Sequence, residues 1–191
     1  MDEQDQELPD FSVSLVLTDA IPVLFFFFTT LFIAKRLKKA HKVAGTLFYI
    51  ASVLPLTGST LQVLWKLFIA VERRNIPILH SQFKYTMGLG FLLIFFSIII
   101  ARKQIKWNSV IKKIFKFPSG VFIFISTLCS LAMIVFIFTL DRNEVYVNWI
   151  EEGVNIIFQG SVFLCTLFAT KMENQVSNTE TVVIEKEKYI V

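Results

Sequence analysis

Apolar residues occur along the chain in five long blocks rather than at the spacing of an amphipathic helix or strand. The blocks cover residues 11–34, 43–71, 82–101, 119–140 and 149–170. A helix rises about 1.5 Å per residue, so about 20 apolar residues cross the hydrocarbon core of a bilayer. The pattern predicts an all-α, polytopic membrane protein in which residues 11–170 form a bundle of five transmembrane helices.

The basic residues predict how these spans are oriented. Five Lys and Arg residues lie between the first and second spans, six between the third and fourth, and three after the fifth, which places 14 of the 19 on one side. Short loops rich in Lys and Arg stay in the cytoplasm. We therefore expect the N-terminus outside, with residues 1–10 as an acidic extracytoplasmic segment, and residues 171–191 as a cytoplasmic tail.

The composition excludes several other classes of protein. Hydrophobic residues make up 54% of the 191 positions and charged residues 18%, which leaves too few polar residues to cover a soluble domain. A soluble enzyme, a disordered chain and a disulfide scaffold are therefore excluded. The phrases LTDAIPVLFFF and WIEEGVNIIFQG resemble segments of small bacterial membrane proteins. That resemblance implies a bacterial plasma membrane but no particular function.

Polar side chains inside three of the spans form the candidate pocket. An uncompensated charge near mid-membrane costs about 2.5–3.5 kcal/mol, so we expect these groups to face one another. Lys66 is expected to pair with Asp19 or with Glu151 or Glu152. The amides would line a pocket that opens outward. The candidate pocket residues are Asp19, Ser59, Gln62, Lys66, Glu152, Asn155 and Gln159.

A purely structural interpretation of the same residues competes with the pocket. Charged side chains near the interface reach water, and amides fix helix bundles through interhelical hydrogen bonds. Asp19 fits that interpretation less well. It lies about 12 Å below the outer end of its span, and its short side chain does not reach water from there.

The second span contains Pro55, followed by the polar run TGST. Proline removes a backbone hydrogen bond, so we expect a kinked or unwound turn at this point. Freed carbonyl groups at such breaks bind ions or substrates in transporters. A kink that serves packing alone is the other interpretation.

The loop between the third and fourth spans predicts a basic amphipathic helix in the headgroup layer. Apolar residues at 107, 110, 111 and 114 share one face, and basic residues occupy the other. Membrane lipids, anionic lipid at the cytoplasmic face in particular, are the expected partners. An ordinary positive-inside loop is the alternative, and topology explains the +4 net charge without nucleic acid. The expected membrane-surface residues are Lys103, Lys106, Trp107, Lys113 and Lys116.

Catalytic and cofactor chemistry has little support in the sequence. No nucleophile elbow, zinc motif or nucleotide-binding loop is present, so we assign no catalytic residue and favour a protein that is not an enzyme. Cys129 and Cys165 fall inside predicted spans at a spacing that fits no metal or redox pair. His41 and His80 lie outside the bundle centre, where haem ligands are needed. We expect no cofactor, and the sequence leaves metal binding open.

Two functions from different classes remain. The first is binding or translocation of a small polar solute or cation through the outward-facing pocket. The second is a non-catalytic membrane subunit, sensor or receptor that acts through a protein partner. Five helices make a thin wall around a pathway, so the first function predicts a homo-oligomer, whereas the second predicts a heterologous membrane subunit.

Overall fold

The structure, a computed structural model, describes residues 11–140 and 145–188, with the backbone alone at 137, 145 and 172–188. Within these ranges the chain forms six helices: α1 Val13–Ala40, α2 Lys42–Glu72, α3 Pro77–Ala101, α4 Trp107–Phe115, α5 Ser119–Thr139 and α6 Val145–Lys188. All except α4 contain a stretch long and apolar enough to cross a membrane. The predicted all-α architecture with five spans is confirmed. The orientation of the spans in a membrane stays a prediction.

The helices are longer than the predicted spans at several ends. α1 continues through the first basic segment to Ala40, and a single residue, His41, separates it from α2. The His41 imidazole accepts a 3.1 Å hydrogen bond from the backbone N–H of Ala44 and so caps α2. α3 begins at Pro77, five residues before the predicted start, since proline needs no hydrogen-bond partner in the first turn of a helix.

The last helix, α6, runs well past the predicted end of the fifth span and reaches Lys188. Most of the segment expected as a cytoplasmic tail therefore continues the helix in its backbone. Residues 1–10, which include the expected acidic extracytoplasmic segment, and residues 189–191 lie outside the described part of the chain.

The five long helices pack in the order α3, α2, α1, α6, α5, and α4 packs against α5 and α6. α1 is the central member of this row. α3 and α5 stand at its two ends and share no extensive contact. Two apolar clusters join α1 to α2. One contains Leu15 and Ile69, and the other contains Leu37 and Phe48 near the opposite end of the same pair.

Small residues permit a close approach of α2 and α3. Side chains at Gly58 and Gly90 would collide with Thr86 and Pro55, respectively, across the interface. Close packing through small residues is what drives helix association in lipid, where apolar side chains gain nothing from leaving the solvent. The predicted turn at Pro55 is not unwound, since α2 is a continuous helix from Lys42 to Glu72, and the buried proline ring packs against Gly90. A kink at this position stays a prediction.

The basic residues gather at one end of the bundle, which we name the basic end. At this end of the bundle α1 ends, α2 begins and α3 ends, and α4 follows α3 in the chain before α5 begins. The Arg36 guanidinium donates a 2.9 Å hydrogen bond to the carbonyl oxygen of Thr170, which ties α1 to α6 at this end. The opposite end holds the start of α1, the end of α2 and the start of α6.

Close packing at Gly90 gives a first testable prediction. Gly90→Ala would push a methyl group into Pro55, and we expect overpacking to lower the free energy of unfolding by about 1–3 kcal/mol. Gly88→Ala in the same helix is the matched control, because no neighbouring atom lies within 4 Å of its Cβ position. Unfolding of both variants in bicelles measures the difference. Equal stability of the two variants would contradict the packing described here.

Candidate functional site

The centre of the candidate site is a lysine held between two carboxylates from different helices. The Lys66 ammonium nitrogen, on α2, lies 2.5 Å from Asp19 Oδ2 on α1. The same nitrogen donates to Glu152 Oε1 on α6 at 3.1 Å. These three residues, which we name the charge triad, connect three of the five spanning helices through one ammonium group.

The sequence places each member of the charge triad near a helix end. Asp19 lies two turns into α1, Lys66 lies in the last two turns of α2, and Glu152 lies two turns into α6. Since α2 runs antiparallel to α1 and α6, these positions fall at the same depth. Glu151 precedes Glu152 and points about 100° away around the helix, so Glu152 is the acid that reaches Lys66.

The charge triad is largely shielded from solvent. The side chains of Lys66, Asp19 and Glu152 are 9%, 11% and 12% exposed. The Phe11 ring covers the ammonium group, with 5.6 Å between the Lys66 nitrogen and the ring centroid. Charges that are removed from water persist only when they are paired and hydrogen-bonded, so each member of the triad depends on the others.

The pairing leaves a negative excess. With both acids ionised, two carboxylates face one ammonium, and the charge triad carries one net negative charge. Glu152 Oε1 accepts from Lys66, but the second oxygen, Oε2, is buried and has no hydrogen-bond donor among the described residues. A buried acceptor without a donor is costly, and this oxygen is the least satisfied group of the site.

A cavity of about 250 Å³ lies beside the charge triad. All five spanning helices contribute to its wall, so the row of helices curves around it. Asp19 and Glu152 line the cavity, whereas Lys66 does not. The lining residues are Asp19, Pro22, Val23, Phe26, Ser59, Gln62, Val63, Phe83, Met87, Phe91, Met133, Glu152, Asn155 and Gln159.

The structure brings together the seven pocket residues singled out from the sequence. Six of them line the cavity, and the seventh, Lys66, contacts two of the six. The expected ion pair of Lys66 is present with two of the three expected partners, Asp19 and Glu152. Whether the assembled residues bind a solute stays a prediction.

Sequence reasoning missed the apolar wall of the cavity. Four apolar residues line the cavity together with the candidate pocket residues: Phe83, Met87 and Phe91 of α3 and Met133 of α5. Phe83, Met87 and Phe91 are spaced by four residues and share one helix face, which is the only signal that the sequence offered. An apolar face gives the same pattern whether it contacts lipid or a cavity.

The described residues offer no obvious metal centre, because no group of three or more His, Cys, Asp or Glu side chains converges among them. Cys129 and Cys165 are free thiols, and Cys165 is buried in helix packing. Chemically, the site can offer two carboxylates, three amides and one hydroxyl at the edge of an apolar cavity.

In comparisons with known proteins, no protein family model, curated protein or solved structure matches the chain. The interpretation of the site therefore rests on its own geometry.

Removing the ammonium group tests the charge triad. Lys66→Met leaves two buried carboxylates without a cation, and we expect a loss of about 3–5 kcal/mol of unfolding free energy. Adding Asp19→Asn and Glu152→Gln to the same chain removes the unpaired charges and should recover much of that loss. The matched control is Lys84→Met, since Lys84 is exposed near the same end of the bundle. A Lys66→Met protein as stable as this control would overturn the assignment.

Proposed function

We propose that this protein binds or translocates a small polar solute or cation through a pocket that opens outward. The observation that carries the proposal is the cavity bordered by two buried carboxylates, in which all five spanning helices take part. Binding sites in membrane bundles are built this way, from ionisable groups that face a cavity inside the bundle.

The competing function, a membrane subunit or sensor, uses the same polar residues as an interhelical lock. A lock requires only that the charges neutralise one another. With both acids ionised, the charge triad instead has one carboxylate in excess, and Asp19 and Glu152 line a cavity. These features favour a ligand site over a lock.

The direction of opening follows from the distribution of charge. The cavity lies in the half of the bundle away from the basic end, and the positive-inside rule places the basic end in the cytoplasm. The pocket then opens to the outer side of a bacterial plasma membrane. All five spanning helices of one copy line the cavity, so a homo-oligomer would carry one pocket per copy.

We further propose that α4 lies in the cytoplasmic headgroup layer and binds anionic lipid. Trp107, Ile111 and Phe115 lie four residues apart on one face of α4 and are 42%, 49% and 70% exposed. Exposed lysines at 103, 106, 112 and 116 flank this face, whereas Lys113 is half-buried and engaged in contacts within the protein. An exposed apolar face bordered by lysines is typical of interfacial helices.

Access from outside tests the pocket. With Cys129 and Cys165 replaced by alanine, Asn155→Cys places a thiol on the cavity wall. We expect a charged, membrane-impermeant methanethiosulfonate to modify this thiol when it is added outside intact cells. The reaction should be at least ten times faster than at Leu131→Cys, a position exposed on the apolar surface of α5. Labelling at Asn155→Cys that requires permeabilised cells would contradict an outward opening, and equal rates would contradict a water-accessible pocket.

Lipid retention tests the membrane-surface role of α4. In nanodiscs of mixed phosphatidylglycerol and phosphatidylcholine, native mass spectrometry should find phosphatidylglycerol bound preferentially. Each basic side chain near the surface contributes about 1 kcal/mol, so Lys106→Gln with Lys116→Gln should reduce that retention at least fivefold. Lys84→Gln, which removes a cation at the opposite end of the bundle, should leave it unchanged. Retention that is insensitive to the double substitution would assign the lipid to another surface.

A further inference from the structure

We propose that the ligand of this cavity is a small organic cation. Its ammonium group binds at Asp19 and Glu152, and its hydrocarbon part contacts the aromatic and methionine wall. The inference rests on the proposed function, because it names the ligand class of the same pocket.

Charge is the first step of the argument. With both acids ionised, the charge triad carries one net negative charge, and Asp19 and Glu152 line the cavity whereas Lys66 does not. An anionic ligand would meet like charge at that boundary, and a neutral one would leave the excess uncompensated. A monovalent cation in the cavity neutralises the triad without displacing Lys66.

Hydrogen bonding is the second step. Glu152 Oε2 is buried and lacks a donor among the described residues. A primary ammonium group has three N–H donors. From the cavity it can donate to the carboxyl groups of Asp19 and Glu152 and to the amide oxygens of Asn155 and Gln159, which line the same cavity. Hydrogen bonds from an ammonium to a carboxylate are about twice as strong as those between neutral groups.

The apolar wall is the third step, and it separates an organic cation from an inorganic one. Eight of the fourteen lining residues are apolar, among them Phe26, Phe83 and Phe91. The described residues form no group of three or more His, Cys, Asp or Glu side chains that could hold a metal ion. Aromatic faces and methionine sulfur instead attract organic cations and hydrocarbon.

Size and access are the fourth step. A volume of about 250 Å³ is below the range of about 300–1,000 Å³ that is typical of drug-sized ligands, so the occupant is small. Phe91 lines the cavity and is nevertheless 49% exposed, so the cavity comes close to the lateral surface of the bundle beside α3. α3 and α5 are the two helices at the ends of the row, and both contribute apolar residues to the cavity wall.

Benzylammonium is the probe that tests this inference, and benzyl alcohol is its neutral counterpart. Isothermal titration of the full chain in nanodiscs at pH 7 should find benzylammonium binding at least ten times more tightly than benzyl alcohol. Sodium at the same concentration should not compete. An affinity for benzyl alcohol equal to that for benzylammonium, or displacement of benzylammonium by sodium, would overturn the organic-cation assignment.

Two pairs of variants locate the binding. Glu152→Gln preserves the contact of Lys66 with Asp19 and removes the excess charge, so it should reduce benzylammonium affinity at least tenfold. Glu72→Gln, an exposed acid at the end of α2, should not change it. Phe91→Leu should weaken binding about two- to fivefold by removing a cation–π contact. Phe96→Leu, at similar exposure on the same helix but outside the cavity, should have no effect. Equal losses within either pair would overturn the location.

Failure of this inference is distinguishable from failure of the proposed function. If the thiol of Asn155→Cys reacts from outside but benzylammonium does not bind, the pocket stands and its ligand is not an organic cation. If that thiol is unreactive and benzylammonium does not bind either, both the pocket and its ligand class are wrong.

Discussion

The contact of one buried ammonium with two buried carboxylates constrains the rest of this bundle. Asp19, Lys66 and Glu152 belong to α1, α2 and α6, and none of them can turn away without leaving a charge unpaired in a low-dielectric interior. The contact therefore fixes how each of the three helices is rotated about its axis. Asn155 and Gln159 follow Glu152 on one face of α6, and Pro22 and Phe26 follow Asp19 on one face of α1. The rotation that pairs the charges also directs these faces toward a common space.

Packing supplies the support that the charge triad needs. Apolar clusters join α1 and α2 on both sides of the charged layer, and Gly58 and Gly90 let α3 approach α2 closely. In lipid, helices gain no hydrophobic free energy from touching each other, so close contacts and buried polar pairs decide which helices become neighbours. The row begins at α3 and ends at α5, and these two helices share no extensive contact. The cavity lies on the concave side of this row: its acidic residues come from α1 and α6, whereas α3 and α5 contribute apolar residues only.

The polar half of the site could be predicted from the sequence, whereas the apolar half could not. A carboxylate, an ammonium or an amide inside a span is rare and costly, so Asp19, Lys66 and Asn155 stand out in the linear sequence. Phe91 and Met133 do not stand out, since an apolar residue that faces lipid and one that faces a cavity look alike. Helix ends were uncertain for a related reason. Basic residues after the first span end the apolar block but not the helix, which continues to Ala40.

By itself, the sequence determined the number of spans, their approximate limits, the end at which cations gather and the depth of each polar group. These properties depend on composition and on the 3.6-residue period along a single helix. Only the tertiary structure decided that Lys66 contacts both Asp19 and Glu152, that α1 is central, and that α3 and α5 complete the cavity wall. Those features depend on how the helices are rotated and ordered. Rotation and order follow from packing between segments far apart in the chain, which no local pattern encodes.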